Sequence, residues 1–191
     1  NFLQNLRDII PNHHKGDYFL YYGRLTEEKG IRTLVEAMRQ MPEQRLKVVG
    51  TGPLLEELRV SAPKNIEFLG FCSGEHLFNQ VSNASFIIVP SEWEENNPLT
   101  IIEAYSYGKP VIGSKIGGIP EIINDHTGFL FEPSDIEGLR STIQKASALS
   151  TESYKEMSTN ARKFANLHFD PENHYKQLMY IYQRAIRKYE N

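Results

Sequence analysis

Six short apolar runs, each followed by turn residues and a helical pattern, limit what this chain can fold into more than any other feature. They lie at 17–22, 45–49, 65–69, 86–89, 110–113 and 129–131. Each is rich in β-formers, shorter than a core helix and flanked by turn residues. Helical spacing marks 30–40, 53–60, 74–82, 98–107 and 119–123, and 134–148 after the last run. Strand–helix alternation of this kind builds a parallel sheet. Right-handed crossovers then fix most of its topology. The later runs, such as Phe86-Ile87-Ile88-Val89, are apolar without interruption, as expected of strands covered by helices on both faces. The fold class is therefore α/β: a doubly wound, mostly parallel, Rossmann-like sheet of about six strands with helices on both faces.

Boundary chemistry supports these elements. Gly52-Pro53 puts a proline at a first helical position, and Asn97-Pro98 does the same with Asn97 as N-cap. Gly108-Lys109-Pro110 closes one helix. Glu132-Pro133-Ser134-Asp135 stops one element and opens the next, with Ser134 or Asp135 as cap. Beyond residue 148 the strands end. Two helices follow, 150–168 and 171–189, parted by Asp170-Pro171. In the second, Tyr175, Leu178, Met179, Tyr182, Ala185 and Ile186 form an apolar stripe. Such a stripe is expected to dock on its own domain. Residues 1–16 read as a linker from a further domain, 17–170 as the domain itself and 171–191 as a C-terminal helical extension.

Composition narrows the function classes. A net charge of −3 points to neither nucleic acid nor an anionic membrane. The lone cysteine, Cys72, excludes an internal disulfide framework and fits a reducing, cytoplasmic setting. It reads as a packing residue. The six histidines do not cluster; His76 reads as a surface helix residue.

Three loops carry chemistry. After the first strand come Gly23 and Arg24, then Lys29 and Gly30. Two cations thus sit at the carboxyl end of a strand, where open α/β sheets bind ligands. Alone, they read equally as a solvated turn. Gly50-Thr51-Gly52 lacks the third glycine of a dinucleotide fingerprint, since position 55 is Leu55, and reads as a tight turn. The second loop, PSEWEENNPLT, holds Glu92, Glu94 and Glu95 and leads into a helix carrying Glu103. A helix N-terminus offers free N–H groups to an anion. A carboxylate beside it can accept from a vicinal diol, and phosphate next to a diol describes a nucleotide ribose. Trp93 reads as the anchor of this loop. In the third loop, Gly117-Gly118 allows a ligand close to the backbone.

Taken in order, these segments resemble the C-terminal, donor-binding domain of a GT-B-fold glycosyltransferase, family 4. Gly23-Arg24-Leu25 and Lys29-Gly30 match its G-R-L-x-x-x-K-G loop, Glu95 and Glu103 its E-x7-E motif, and Gly117-Gly118-x-Pro120-Glu121 its G-G-x-P-E loop. Pro90-Ser91, Gly108-x-Pro110-Val111 and Gly128 also match, so the likeness covers residues 17–189.

The resemblance implies a role for each position. Arg24 and Lys29 would contact the donor diphosphate and offset charge on the leaving nucleotide in place of a metal. Gly23 would give the diphosphate room. Glu95 would face the donor sugar, with the N–H groups near Pro98, Leu99 and Thr100 against sugar or phosphate. Glu103 would hold the ribose hydroxyls, and Phe71 and Cys72 would approach the base. No Asp-x-Asp pair occurs, in keeping with metal-independent transfer.

The resemblance also implies retention of anomeric configuration. The donor would be a UDP- or GDP-sugar, with no tightly bound cofactor. The acceptor, a saccharide or glycolipid, would be held by an N-terminal domain outside this chain, and the C-terminal helix, 171–191, would pack back toward that domain, its apolar stripe then being partly exposed in this chain. The fragment alone would then bind donor weakly without transferring it. For a lipid-linked acceptor, the setting would be the inner face of a membrane, with Arg184, Arg187 and Lys188 near its surface.

Two other classes share the sheet. A UDP-sugar 2-epimerase would not combine the cation loop with the paired glutamates. A noncatalytic binding module need not keep either, and an unrelated flavodoxin-like domain leaves the coincidence of three loops unexplained.

Overall fold

The computed structural model describes residues 6–189; residues 1–5 and 190–191, which belong to the expected linker and C-terminal extension, and the side chains of Arg7, Lys188 and Tyr189 lie outside the described residues. The strands are β1 Phe19–Tyr22, β2 Leu46–Val49, β3 Ile66–Gly70, β4 Ile87–Val89, β5 Val111–Ser114 and β6 Gly128–Phe131. They pair in parallel in the order β3-β2-β1-β4-β5-β6. The expected fold class is the one observed. The chain winds outward from β1 to β3, then returns to β4 and winds the other way. The order reverses between β1 and β4, and a crevice opens at their carboxyl ends.

The helices are α1 Ile31–Arg39, α2 Leu55–Ser61, α3 Gly74–Asn83, α4 Leu99–Ser106, α5 Ile119–Ile122, α6 Ile136–Ser147, α7 Thr151–His168 and α8 Pro171–Tyr189. Side chains alternate between the two faces of each strand. Phe19 and Tyr21 join Leu34, Met38, Leu58, Leu139 and Ile143 in one buried cluster, under α1, α2 and α6. Leu20 and Tyr22 join Val81, Ile101, Ile102 and Tyr105 in the other, under α3 and α4.

Boundaries differ in instructive ways. The helix after Gly52-Pro53 begins at Leu55, because Gly52 and Pro53 are used in a turn against the neighbouring loop: Leu54 donates to the Leu25 carbonyl at 3.2 Å. Pro98 rather than Asn97 takes the N-cap position of α4, with no side-chain cap. Asp135 caps α6 as expected, accepting from the Gly138 amide at 2.9 Å.

At its start α7 packs Tyr154 and Met157 in the first cluster; further along, Ala161 and Ala165 lie in the second. Tyr154 donates to the Ser85 carbonyl at 2.7 Å, just before β4. Of the two expectations for the last helix, docking of its stripe on its own domain is the one corrected. Tyr175, Tyr182 and Ile186 of α8 are 62%, 54% and 56% exposed. Asp170 caps α8, accepting from the Glu172 and Asn173 amides at 3.0 and 3.1 Å, and beyond that turn the stripe faces away from the core.

Residues before β1 lie against α4 and α7. Asn12 donates its amide to the Tyr107 carbonyl at 3.0 Å and its side chain to the Ser82 carbonyl at 2.9 Å. Arg162 donates to the Leu6 carbonyl at 3.0 Å, and His13 Nδ1 lies 2.7 Å from the Ser158 hydroxyl. Lys109 is fully buried and donates to the His14 carbonyl at 2.9 Å. Burial pushes its ammonium down from 10.5 to about 8.

Between these two values the unfolded chain binds the proton and the folded chain does not, so stability should rise with pH from about 8. Tyr18 acts the other way above pH 10, since burial raises it from 10.0 to about 12 and the folded state then keeps a proton the unfolded chain loses. Tyr21, Tyr22, Tyr105 and Tyr154 are raised by burial in the same way and add to that opposing slope as pH nears 10, so urea melts should show roughly 1 kcal/mol more stability near pH 9 than at neutral pH. Lys109→Met should remove most of that rise.

Candidate functional site

Two adjoining cavities open at the carboxyl ends of β1 and β4. The first, about 290 Å³, runs from Gly23 and Lys29 to Ser91, Glu95, Pro98, Leu99 and Thr100. The second, about 300 Å³, runs from Gly23 and Arg24 to Thr51, Phe71 and Cys72. Tyr22 and Gly23 belong to both. Of the ten residues singled out in the sequence, nine thus line one hollow or the other, and Glu103 stands behind Tyr22.

The cation loop is held from beneath. Gly23 donates to the Val49 carbonyl at 3.0 Å and Leu25, fully buried, to the Thr51 carbonyl at 2.9 Å. The Tyr21 hydroxyl donates to the Arg24 carbonyl at 2.6 Å. Arg24 itself reaches outward, its side chain 75% exposed and 4.0 Å from Glu28. Lys29 ends a short 3₁₀ turn, Glu27–Lys29, closed by Gly30 in the left-handed region at φ 66°. A Cβ on Gly30 would stand 1.8 Å from the Pro90 carbonyl oxygen, so only glycine lets the two loops meet. The two cations therefore flank Gly23, one at each cavity.

Lys29 is ion-paired with Glu95, whose same carboxylate oxygen accepts from the Ser91 hydroxyl at 3.0 Å. Ser114 in turn donates to the Ser91 carbonyl at 2.6 Å. The Gly117-Gly118 expectation is corrected here. The pair approaches the backbone of the acidic loop rather than standing open to a ligand. The Gly118 amide donates to the Glu95 carbonyl at 2.6 Å, and a Cβ on Gly118 would lie 2.0 Å from the Asn96 carbonyl oxygen. The glycines thus position Glu95.

Trp93 does not anchor its loop; it is 71% exposed and borders a separate hollow with Glu27, Glu28 and Glu92. Glu92 is the anchor, its amide donating to the Glu28 carbonyl at 2.9 Å and its carboxylate accepting from Thr33. His76 is exposed on α3, as expected.

At the far wall of the first cavity, α4 begins. Its first amides, Leu99 and Thr100, precede any intrahelical acceptor and leave partial positive charge at the cavity. Deeper in, Glu103 is half-buried, and burial raises its carboxyl above the usual range while a hydrogen bond from Tyr22 works against that rise. Cation, backbone amides and carboxylate thus face one crevice, a set suited to an anion joined to a polyol. Among the described residues, no three His, Cys, Asp or Glu side chains gather into a metal-binding set.

Sequence reasoning assigns no site role to Tyr21, Tyr22 or Thr51, and names Ser91 only as part of a matching motif. Their side chains and carbonyls work across the sheet, and no local spacing announces that.

Gly30→Ala and Gly74→Ala both force a side chain into the left-handed region, at φ 66° and 54°, but Gly74 has open space where Gly30 has Pro90. Gly74→Ala should cost about 1 kcal/mol. Gly30→Ala should cost at least about twice that, by denaturant melts.

Comparison with known proteins agrees with this geometry. Residues 4–164 match the family model described as "Glycosyl transferases group 1". The sulfoquinovosyl transferase SQD2 of Arabidopsis thaliana is 35% identical over 123 residues, 62% of this chain and 24% of that protein. A sucrose-phosphate synthase from Thermosynechococcus elongatus superposes with a TM-score of 0.81 at 28% identity, over 97% of this chain and 51% of its own. Anabaena Alr3699/HepE, solved with UDP, superposes at 0.79 over 90% of this chain and 50% of its own; at 23% identity it shares the fold. The chain spans half or less of the length of the curated relatives named first.

Proposed function

This chain belongs to the glycosyl transferases group 1 family, and from that premise we propose that it is the C-terminal, donor-binding half of a retaining, metal-independent family 4 glycosyltransferase. The full enzyme would move a hexose from a nucleotide-diphosphate sugar to a saccharide or lipid-linked acceptor. The observation that carries this reading is the pair of cavities joined at Gly23, with a cation at each and the open amides of α4 opposite.

A nucleoside diphosphate sugar fits that division. The base lies in the second cavity, near Phe71 and Cys72. The diphosphate crosses over Gly23, where no side chain obstructs it, between Arg24 and Lys29. The sugar occupies the first cavity, against Glu95 and the amides of Leu99 and Thr100. Charge builds on the diphosphate as the glycosidic bond to it breaks, and fixed cations and amides stabilise that charge without reorganising. In the free protein Glu95 occupies Lys29. An arriving diphosphate must compete for the ammonium, and Glu95 is then released to accept from sugar hydroxyls.

The acceptor and the remaining wall of the cleft belong to an N-terminal domain. On that reading this chain binds donor and does not transfer it. Polysaccharide or glycolipid synthesis at the cytoplasmic face of a membrane is the setting proposed. The UDP complex of the Anabaena neighbour makes uridine diphosphate the first nucleotide to try.

Calorimetric titration with UDP, GDP and ADP, and with their sugars, tests the proposal. One base should be preferred. Arg24→Ala and Lys29→Ala should each weaken diphosphate binding by about tenfold or more, the worth of a hydrogen bond to a charged group. Glu95→Gln, which frees Lys29, should tighten binding of the diphosphate that lacks a sugar. Failure of all three nucleotides to bind at millimolar concentration, in this chain and in the full-length protein, would overturn the reading. Sugar transfer by this chain alone would overturn the division of labour.

A further inference from the structure

The Arg24 side chain is 75% exposed, with Glu28 at 4.0 Å as a loose partner. Its direction is therefore set by the backbone that carries it. Three backbone bonds tie that turn to β2 and the chain after it. Gly23 donates to the Val49 carbonyl at 3.0 Å, Leu25 to the Thr51 carbonyl at 2.9 Å, and Leu54 to the Leu25 carbonyl at 3.2 Å. A fourth bond comes from β1. Tyr21 is buried there, and its hydroxyl donates to the Arg24 carbonyl at 2.6 Å.

That fourth bond does what the others do not. The Arg24 carbonyl and the Leu25 N–H belong to one planar peptide and point in opposite directions across it. Thr51 holds one edge of that plane and Tyr21 the other. The Arg24 Cα lies in the same plane, so holding both edges fixes the start of its side chain. With the Thr51 bond alone, the plane could turn about that bond and carry the guanidinium with it. The phenol also stands close to Gly23: a Cβ there would lie 3.3 Å from the Tyr21 hydroxyl oxygen. Tyr21 lines the first cavity together with Gly23 and Lys29. Burial holds the phenol well above its ordinary titration range, so it stays a donor at physiological pH.

We propose that Tyr21 is a positioning residue that steadies the Arg24–Leu25 peptide and so aims the Arg24 guanidinium at the diphosphate of the donor. This inference rests on the donor-site reading above.

The test is a double-mutant cycle on UDP binding by calorimetry, with GDP or ADP in its place if the wild type prefers one of them. The four proteins are the wild type, Tyr21→Phe, Arg24→Ala and the double variant. Tyr21→Phe keeps the ring in the core and removes the donor. It should weaken binding about three- to tenfold where Arg24 is present, and less than about twofold where Arg24 is alanine. Hydrogen exchange gives a second readout that needs no ligand. The Leu25 amide should exchange faster in Tyr21→Phe than in the wild type, while the Ile87 amide of β4, which donates to the Pro110 carbonyl, keeps its rate.

Equal weakening in both backgrounds would overturn the role, since a loss of packing would not depend on Arg24. Unchanged nucleotide binding in Tyr21→Phe, or an unchanged exchange rate at Leu25, would overturn it as well. A wild type that binds none of the three nucleotides at millimolar concentration, in this chain and in the full-length protein, would sink the donor-site reading, and this inference with it.

Discussion

The close approach of the carboxyl-edge loops to one another is the constraint on which the rest of this protein depends. Gly30 lets the loop after β1 touch the loop after β4, and Gly118 lets the loop after β5 touch it from the other side. The acidic loop is thus clamped between two neighbours by backbone, with no side chain to spare. Glu95 hangs from the clamped stretch and meets Lys29, which hangs from the first neighbour. Rigid backbone on both sides places a cation and a carboxylate at one cavity with little freedom to lose on binding. Charge set on backbone of this kind is worth more than the same charge on a mobile loop, because a ligand that parts Lys29 from Glu95 has only side chains to move and no loop to order.

The two edges of the sheet do different work. At the amino edge polar groups are sealed in. Lys109 gives its proton to a backbone carbonyl, Arg162 spans to the Leu6 and Ser106 carbonyls, and Ser158 bridges His13 and Gly108. A buried ammonium is costly, and it is tolerated because it ties the segment before β1 to α4. At the carboxyl edge the polar groups are left open. Arg24 is exposed, the first amides of α4 face a cavity, and Glu103 is half-buried with its carboxyl raised by burial. Sealed polar groups gather at one end of the strands and open ones at the other, as parallel α/β sheets allow.

The pair Tyr21 and Tyr22 shows how one strand serves both cavities. Adjacent residues point to opposite faces, so two identical side chains reach different partners. Tyr21 holds the carbonyl of Arg24 from one face, and Tyr22 holds the start of α4 from the other. The phenols are driven well above their ordinary titration range, chiefly by burial, and remain donors across the physiological span.

Sequence alone determined the class of fold, because six strand runs alternating with helical patterns admit little but a parallel sheet. It also pointed to the three loops that meet at the carboxyl edge of the sheet, since cations, carboxylates and glycines at strand ends are local features. Nine of the ten residues it singled out line the cavities. It misjudged Gly117-Gly118, Trp93 and, where it expected docking on the same domain, the stripe of α8. In each case the deciding fact was what stands opposite in space: the Glu95 backbone, solvent, and solvent again. Only the tertiary structure decided that Glu95 occupies Lys29, that the cations part around Gly23, and that Glu103 lies behind Tyr22. These depend on strand order and register, which bring residues some seventy positions apart to within a hydrogen bond. Periodicity along the chain reports which face a residue takes; it carries no record of which strand becomes its neighbour.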